Sequence, residues 1–184
     1  MLMDKERSQL LIVDMQERLL PAMSDADDIT KACERLVRGA QTLDLPITVS
    51  EQYPKGLGPT VEPLRQTLGN SATVMEKVEF SCFQNKEIRD RLEELRRKGR
   101  PQVVVGGIEA HVCVLQTALD LAAQGFETFV AADAIGSRLK ESRKLAMGRM
   151  LHANVSVVNS EMALFEWVGK AGSPEFKEIQ ALVK

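Results

Sequence analysis

Short apolar runs and amphipathic stretches alternate along the chain. Residues 10–13, LLIV, form a continuous apolar run, which is typical of a strand covered on both faces. Residues 25–43 place apolar side chains three and four positions apart, which is the spacing of a helix. The alternation predicts further strands at 46–50, 72–76, 101–107, 126–131 and 155–158, and further helices from about 60, then at 85–98, 112–124, 137–152 and 162–168.

Strands that alternate with helices predict a parallel α/β sheet with right-handed crossovers. The chain has 184 residues, the length of one domain, and we assign a single domain to 1–184. The stretch EQYPKGLGPT at 51–60 is the only long irregular segment, and loops of this kind often carry function.

Composition excludes several classes of protein. Hydrophobic residues make up 44% of the chain, too many for a disordered protein. The formal net charge of −2 gives no sign of the basic face that binds nucleic acid. No apolar run approaches the roughly 20 residues that span a bilayer, no signal peptide is evident, and three cysteines indicate a reducing compartment rather than a disulfide scaffold. We therefore expect a soluble, cytoplasmic protein that binds neither nucleic acid nor membrane.

Three chemically capable side chains follow predicted strands. Asp14 follows the first strand, Lys77 the third, and Cys113 the fourth. Taken singly, Asp14 can cap a helix, Lys77 can be a solvated lysine, and Cys113 can be a small core residue. Ligands of parallel α/β sheets bind at the carboxyl ends of strands, so the joint placement favours a site. If the third strand lies two strands from the first, their ends are about 10 Å apart and Lys77 must reach inward.

The three cysteines differ in their predicted surroundings. Cys33 lies on the apolar face of a predicted helix, and Cys82 follows a strand without a helix terminus, so we expect both to be buried core residues. Cys113 falls in the first turn of a predicted helix, where backbone N–H groups lower the pKa of a thiol. A nearby lysine would lower that pKa further, and we expect Cys113 to be alkylated faster than the other two.

Metal and nucleotide sites lack their usual signals. The chain has only two histidines, and His111 stands two positions from Cys113, where helical side chains point to nearly opposite sides. The glycine pair at 106–107 is not a GxGxxG motif, and no GxxxxGK[ST] motif is present. We predict no metal and no cofactor.

Three stretches resemble the isochorismatase-like cysteine hydrolase superfamily over about 10–167: LLIVDMQ, EKVEFSCF and VVVGGIEAHVCVLQTALDLAAQGFETFVAADAIGSR. The 51–60 loop and the C-terminal tail resemble the small, functionally orphan members, including the YcaC-like hydrolases. The resemblance implies a three-layer α/β/α, Rossmann-like fold with a six-stranded parallel sheet. It also implies a triad of Asp14, Lys77 and Cys113, an oxyanion hole formed by the amides of Glu109 and Cys113, and a cis peptide between Ile108 and Glu109.

These residue types suit hydrolysis. A thiol becomes a strong nucleophile once a base takes its proton, a role that suits Asp14, while Lys77 would hold Asp14 ionised. Nicotinamidases carry an Asp-x-His metal motif where this chain reads Ser50-Glu51-Gln52-Tyr53, which disfavours that activity. The leading interpretation is cleavage of a small amide, carbamoyl or related C–N substrate through a thioester-type intermediate. The alternatives are a weakly active oligomeric partner-binding protein and a redox-sensing thiol protein.

For the substrate pocket we expect Tyr53, Phe80 and Phe83 near the thiol, with Gln16 as a polar contact. The alternative for Phe80 and Phe83 is plain core packing.

We also expect a homo-oligomer, because the apolar stretch 162–168 and the tail present much apolar surface. The alternative is that this surface packs on the chain's own last strand. The tail residues concerned are Phe176, Ile179, Leu182 and Val183.

Overall fold

Six parallel strands form a single sheet in the computed structural model, which describes all residues 1–184. The strands are β1 (Ser8–Val13), β2 (Ile47–Gln52), β3 (Ala72–Lys77), β4 (Gln102–Ile108), β5 (Glu127–Gly136) and β6 (Ser156–Val158). Their order across the sheet is β3-β2-β1-β4-β5-β6. β1 and β4 are therefore central neighbours, whereas β3 is an edge strand two places from β1.

Helices cover both faces of this sheet. They are α1 (Ala26–Thr42), α2 (Pro54–Leu57), α3 (Glu62–Leu68), α4 (Lys86–Arg97), α5 (Leu115–Ala123), α6 (Lys140–His152), α7 (Ser160–Val168) and α8 (Phe176–Leu182). Helices α1, α3, α7 and α8 bury side chains on one face, and α4, α5 and α6 on the other. The predicted three-layer α/β/α architecture is confirmed. No helix is both long and apolar enough to cross a membrane.

The continuous apolar run of β1 is explained by these two faces. Leu10 and Ile12 belong to the core cluster on the α1 side, and Leu11 and Val13 belong to the cluster on the α5 side. All six residues of β1 are buried. A strand in this position needs apolar side chains at both odd and even positions, because successive side chains point to opposite faces.

Three elements differ from the sequence-based prediction at the carboxyl edge of the sheet. β2 continues through Gln52, so part of the expected loop is strand. β5 continues to Gly136, and its pairing with β4 shifts register between Val105 and Gly107. The helix predicted from 112 begins as a π-helix, Ala110–Val114, before α5. All three differences lie where polar residues and glycines interrupt the apolar pattern.

The C-terminal tail packs on its own chain. Ile179 of α8 and Trp167 of α7 lie in the same core cluster as α1, and Phe176 and Leu182 pack against that cluster. The expectation that this apolar surface is free for an oligomer contact is therefore wrong for most of it. Its side chains cover the α1 side of the fold, and only Met162 and Phe165 remain exposed among the large hydrophobic residues of α7.

Candidate active site

Asp14 is the first residue after β1 and is completely buried. Its backbone has a positive φ of 51°, a conformation that Asp adopts more readily than most residues. Its backbone N–H donates to the carbonyl of Ser50 at 3.0 Å, and its Oδ1 accepts from the Ser50 hydroxyl at 2.7 Å. Its Oδ2 accepts from Lys77 Nζ at 2.7 Å. The carboxylate is therefore held at both oxygens.

Lys77 reaches the carboxylate from the edge of the sheet. It is the last residue of β3 and is paired in register with Gln52 of β2, so its side chain must extend past β2 to reach Asp14. Its Nζ also donates to Gln52 Oε1 at 2.6 Å and to the carbonyl of Glu79 at 3.1 Å. An ammonium group has three N–H donors, and these three acceptors use all of them. The length of the lysine side chain thus closes the gap of two strands.

Cys113 approaches the same carboxylate from β4, the other neighbour of β1. It lies in the π-helix that follows β4, and π-helical turns occur frequently at functional sites. Its thiol lies close enough to Asp14 and Lys77 for both charges to act on it. Cys113 is 6% exposed, whereas Cys33 and Cys82 are fully buried. The structure therefore brings the acid, the amine and the thiol together, and Cys113 is the most exposed residue of the three.

The pKa of the Cys113 thiol is shifted in the opposite direction to the one predicted from the sequence. Burial raises the pKa of the Cys113 thiol, and the Asp14 charge raises it further, while Lys77 lowers it. Burial also raises the pKa of Asp14, although Lys77 acts in the opposite direction. Burial lowers the pKa of Lys77, but the charges of Asp14, Cys82 and Cys113, together with the hydrogen bond to Asp14, raise it on balance. The expectation of a lowered thiol pKa is therefore wrong, because helix position alone does not reveal burial beside a carboxylate.

The turn between β4 and α5 is held by hydrogen bonds on both sides. The peptide bond between Ile108 and Glu109 is cis. The Glu109 carbonyl accepts from the amides of Val112 and Val114, each at 3.1 Å. The Glu109 carboxylate lies 2.7 Å from Arg138, and His111 Nδ1 lies 2.9 Å from the Ser137 hydroxyl. The turn that carries Cys113 is thus tied to the segment after β5.

The sequence of this chain, from β1 to the start of α7, matches a known domain. Residues 8–162 match the isochorismatase domain. The chain belongs to the isochorismatase family. Its fold is an isochorismatase-family hydrolase fold, and the predicted superfamily is confirmed.

Curated relatives carry the same family name. The chain is 44% identical over 171 residues to isochorismatase domain-containing protein 1 of Salmo salar, covering 93% of this chain and 59% of that protein. It is 36% identical over 180 residues to isochorismatase domain-containing protein 2 of Rattus norvegicus, covering 97% of this chain and 82% of that protein. The chain thus spans about three fifths of the length of the first relative.

Solved structures share the whole fold. A Caenorhabditis elegans protein described as MAR1 ribonuclease superposes with a TM-score of 0.92 and 34% identity, over 100% of this chain and 92% of that chain. YcaC from Pseudomonas aeruginosa superposes with a TM-score of 0.88 and 23% identity, over 98% and 91% of the two chains. YcaC from Escherichia coli gives 0.86 and 23%, over 99% and 87%. At 23% identity the two YcaC structures show the fold alone.

The residues predicted for a substrate pocket lie in different surroundings. Gln16 is buried, and its amide donates to the carbonyls of Gln52 and Gly58 and accepts from the Gln52 amide, all within 2.7–2.9 Å. It therefore anchors the segment after β2. Tyr53 is exposed and, with Lys77, lines a surface cavity of about 360 Å³.

The two predicted pocket phenylalanines are separated by burial. Phe80 is 55% exposed, while Phe83 is buried in the same apolar cluster as Cys113 and packs edge-on against Phe126 with ring centroids 5.7 Å apart. Core packing therefore accounts for Phe83. A part for Phe80 or Tyr53 in substrate binding stays a prediction.

Sequence reasoning missed three residues that surround Asp14. Ser50 and Gln52 lie on β2 and bind Asp14 and Lys77 directly. Cys82, which we expected to be simply buried, places its sulfur 3.3 Å from the Ser50 hydroxyl. The available signal was the polar run Ser50-Glu51-Gln52 at the end of β2, which is equally typical of the start of a loop.

No group of three or more His, Cys, Asp or Glu side chains is placed to hold a metal ion.

Proposed function

We propose that this chain is a cysteine hydrolase that cleaves the C–N bond of a small amide or carbamoyl compound, with Cys113 as the nucleophile. The observation that carries the proposal is the buried Asp14 carboxylate, which pairs with the Lys77 ammonium and lies close enough to the Cys113 thiol for its charge to act on it. A thiol next to a base is the arrangement that nucleophilic catalysis requires.

The proposed reaction begins with a protonated thiol. Asp14 takes the Cys113 proton as the sulfur attacks the carbonyl carbon, and the raised pKa of Asp14 makes it a better base than an ordinary carboxylate. The C–N bond then breaks, the amine leaves with the proton from Asp14, and a thioester remains on Cys113. Asp14 next accepts a proton from water, which attacks the thioester and releases the acid and the thiol.

The remaining residues have supporting parts. Lys77 stays positively charged and stabilises the ionised form of Asp14 between the two half-reactions. The backbone amides of Glu109 and Cys113 are the proposed donors to the oxyanion that forms on the attacked carbonyl.

The substrate is proposed to be small because the site is almost closed. Cys113 is 6% exposed, and the side chains of Asp14 and Lys77 are fully inaccessible. Acrylamide is a small amide, and the P. aeruginosa YcaC structure is described with covalent acrylamide. The word ribonuclease in the description of the C. elegans structure makes RNA a necessary comparison substrate. A net charge of −2 and a closed thiol do not favour such a polymer.

We also propose that the chain forms a homo-oligomer. Val74, Val78 and Phe80 are each more than half exposed and lie in and just after the edge strand β3, close to Lys77. Exposed apolar side chains grouped in this way often mark interfaces. The E. coli YcaC protein is described as octameric. Light scattering at micromolar concentration tests assembly, and a mass near the 20.4 kDa of one chain would contradict it.

Turnover assays test the proposed chemistry. Small amides, carbamoyl compounds and RNA are offered to the wild-type protein, Cys113→Ala and the matched control Cys33→Ala. We expect turnover of a small C–N substrate that Cys113→Ala abolishes and Cys33→Ala retains. Turnover that survives the loss of Cys113 would contradict the nucleophile assignment, and hydrolysis of RNA alone would contradict the substrate class.

Labelling with iodoacetamide tests the nucleophile without a substrate. We expect Cys113 to be alkylated at least tenfold faster than Cys33 and Cys82 at neutral pH, because it alone combines solvent access with an adjacent base. Mass spectrometry of the digested protein measures the three rates. Equal rates would show that Asp14 and Lys77 do not activate the thiol.

A further inference from the structure

We infer that Ser50 is a positioning residue for Asp14, acting as the middle member of a hydrogen-bonded chain from Cys82 through Ser50 to Asp14. This inference rests on the proposed function, in which Asp14 is the base. Ser50 is fully buried near the end of β2. It holds Asp14 in two ways, since its hydroxyl donates to Oδ1 at 2.7 Å and its carbonyl accepts from the Asp14 amide at 3.0 Å.

The donor and acceptor in each hydrogen bond from Cys82 through Ser50 to Asp14 follow from the number of protons available. A serine hydroxyl carries one proton, and beside an ionised carboxylate it donates that proton to Asp14. Its oxygen is then free to accept, and the Cys82 sulfur lies 3.3 Å away. Burial raises the pKa of Cys82 to about 11, so its thiol keeps the proton that it donates. Cys82 is itself fixed to α5, because its backbone amide donates to the Thr117 hydroxyl at 2.9 Å.

Each oxygen of the Asp14 carboxylate accepts a hydrogen bond from a different donor. Ser50 donates to Oδ1 and Lys77 donates to Oδ2, so the orientation of the carboxylate is fixed before it accepts the Cys113 proton. Once Asp14 holds that proton on Oδ1, the Ser50 hydroxyl can turn round, accept from Asp14 and donate to the Cys82 sulfur. Ser50 and Cys82 then exchange hydrogen-bond directions without losing a partner, which matters because an unpaired buried polar group is costly.

Thr48 provides a matched comparison on the same strand. It lies two residues before Ser50, is equally buried, and its hydroxyl accepts from Arg91 Nε at 2.9 Å. Loss of either hydroxyl removes side-chain hydrogen bonds from β2, two at Ser50 and one at Thr48. Only the Ser50 hydroxyl touches the proposed base, so only its loss should change how Cys113 responds to pH.

The test is the pH dependence of Cys113 alkylation by iodoacetamide, measured by mass spectrometry. In Ser50→Ala the ionised Asp14 loses a donor, so its pKa rises and the acidic limb of the profile should move up by roughly one pH unit. Ser50→Thr should restore the wild-type limb, and Thr48→Ala should leave it unmoved. A wild-type profile in Ser50→Ala would overturn the inference.

Two further variants keep the test decisive. Asp14→Asn should abolish the acidic limb. If it does so while Ser50→Ala changes nothing, only the positioning role fails, and if Asp14→Asn also changes nothing, the proposed base role fails. Should Ser50→Ala not fold, Cys82→Ala is compared with Cys82→Ser, which keeps a donor to Ser50. If the acidic limb moves up in Cys82→Ala but not in Cys82→Ser, the hydrogen-bonded chain is supported. Identical pH profiles for the two variants refute it.

Discussion

Replacing Lys77 by methionine should destabilise the protein far more than the loss of an ordinary surface ion pair. The Lys77–Asp14 pair is completely buried, with both side chains at 0% exposure and 2.7 Å between Nζ and Oδ2. Methionine matches most of the lysine side chain in length and fills the same path across β2. The substitution therefore removes the charge and three hydrogen bonds while it leaves the packing of the aliphatic stem largely intact.

The expected loss is about 3–5 kcal/mol, the usual cost of leaving one partner of a buried ion pair without the other. The structure places this pair at the severe end of that range, because Gln52 Oε1 and the Glu79 carbonyl also lose their donor. Lys86→Met is the matched control. Its pair with Asp90 is shorter still at 2.5 Å, but the two side chains are 78% and 55% exposed. Surface pairs contribute about 0–1 kcal/mol, so the control should change stability little.

Urea unfolding followed by the fluorescence of the single tryptophan, Trp167, measures both variants. Protein concentration is held fixed, because assembly would shift apparent stability. The loss in Lys77→Met should grow as pH rises. Without the ammonium, the folded-state pKa of Asp14 lies further above its unfolded value, so the acid is neutral at low pH and becomes a buried unpaired charge as pH rises through that pKa. A cost equal to that of Lys86→Met, or one independent of pH, would refute the buried ion pair.

Two further predictions concern the backbone around the site. Gly107→Ala should prevent folding or lower the free energy of unfolding by more than about 4 kcal/mol, because a Cβ at its φ of 117° would lie 2.0 Å from the carbonyl oxygen of Val13. Thermal unfolding compares it with Gly148→Ala in α6, where an added Cβ meets open space, and equal melting temperatures would contradict the expected clash. Gln16→Leu should leave the fold intact but release the segment 52–58, which the Gln16 amide anchors. Limited proteolysis should therefore cut that segment several-fold faster than in the wild-type protein, and unchanged cleavage would show that other contacts hold it.

The strands and the placement of Asp14, Lys77 and Cys113 at strand ends could be predicted because each depends on local sequence. The apolar run of β1 needs burial on both faces, and polar residues at the ends of such runs must lie at one edge of a parallel sheet. That rule brings Asp14, Lys77 and Cys113 to the same edge, and the family resemblance singled them out there as a triad. The end of β2 could not be placed in the same way, because Glu51 and Gln52 look like the beginning of a loop although they belong to the strand.

The electrostatics and the packing of the tail could not be predicted, since both depend on distant contacts. The pKa of the Cys113 thiol is set by burial and by a carboxylate 99 positions earlier in the chain, and neither is visible in the helical pattern around the cysteine. The apolar residues of α8 could be counted, but whether they cover α1 of the same chain or a second copy is decided by the path of the chain after α7.

The position of Lys77 at the end of β3 makes the site depend on one of the two edge strands of the sheet. β3 is paired on one side only, and three of its six residues are exposed. Edge elements with few buried contacts open locally at a lower free energy than the sheet as a whole. Fraying of this one strand would withdraw the ammonium from Asp14 while β1, β2 and β4 stay folded. Amide exchange in β3 would therefore report the fraction of molecules in which the charged pair is assembled. The site could disassemble and reassemble many times within the lifetime of one folded molecule.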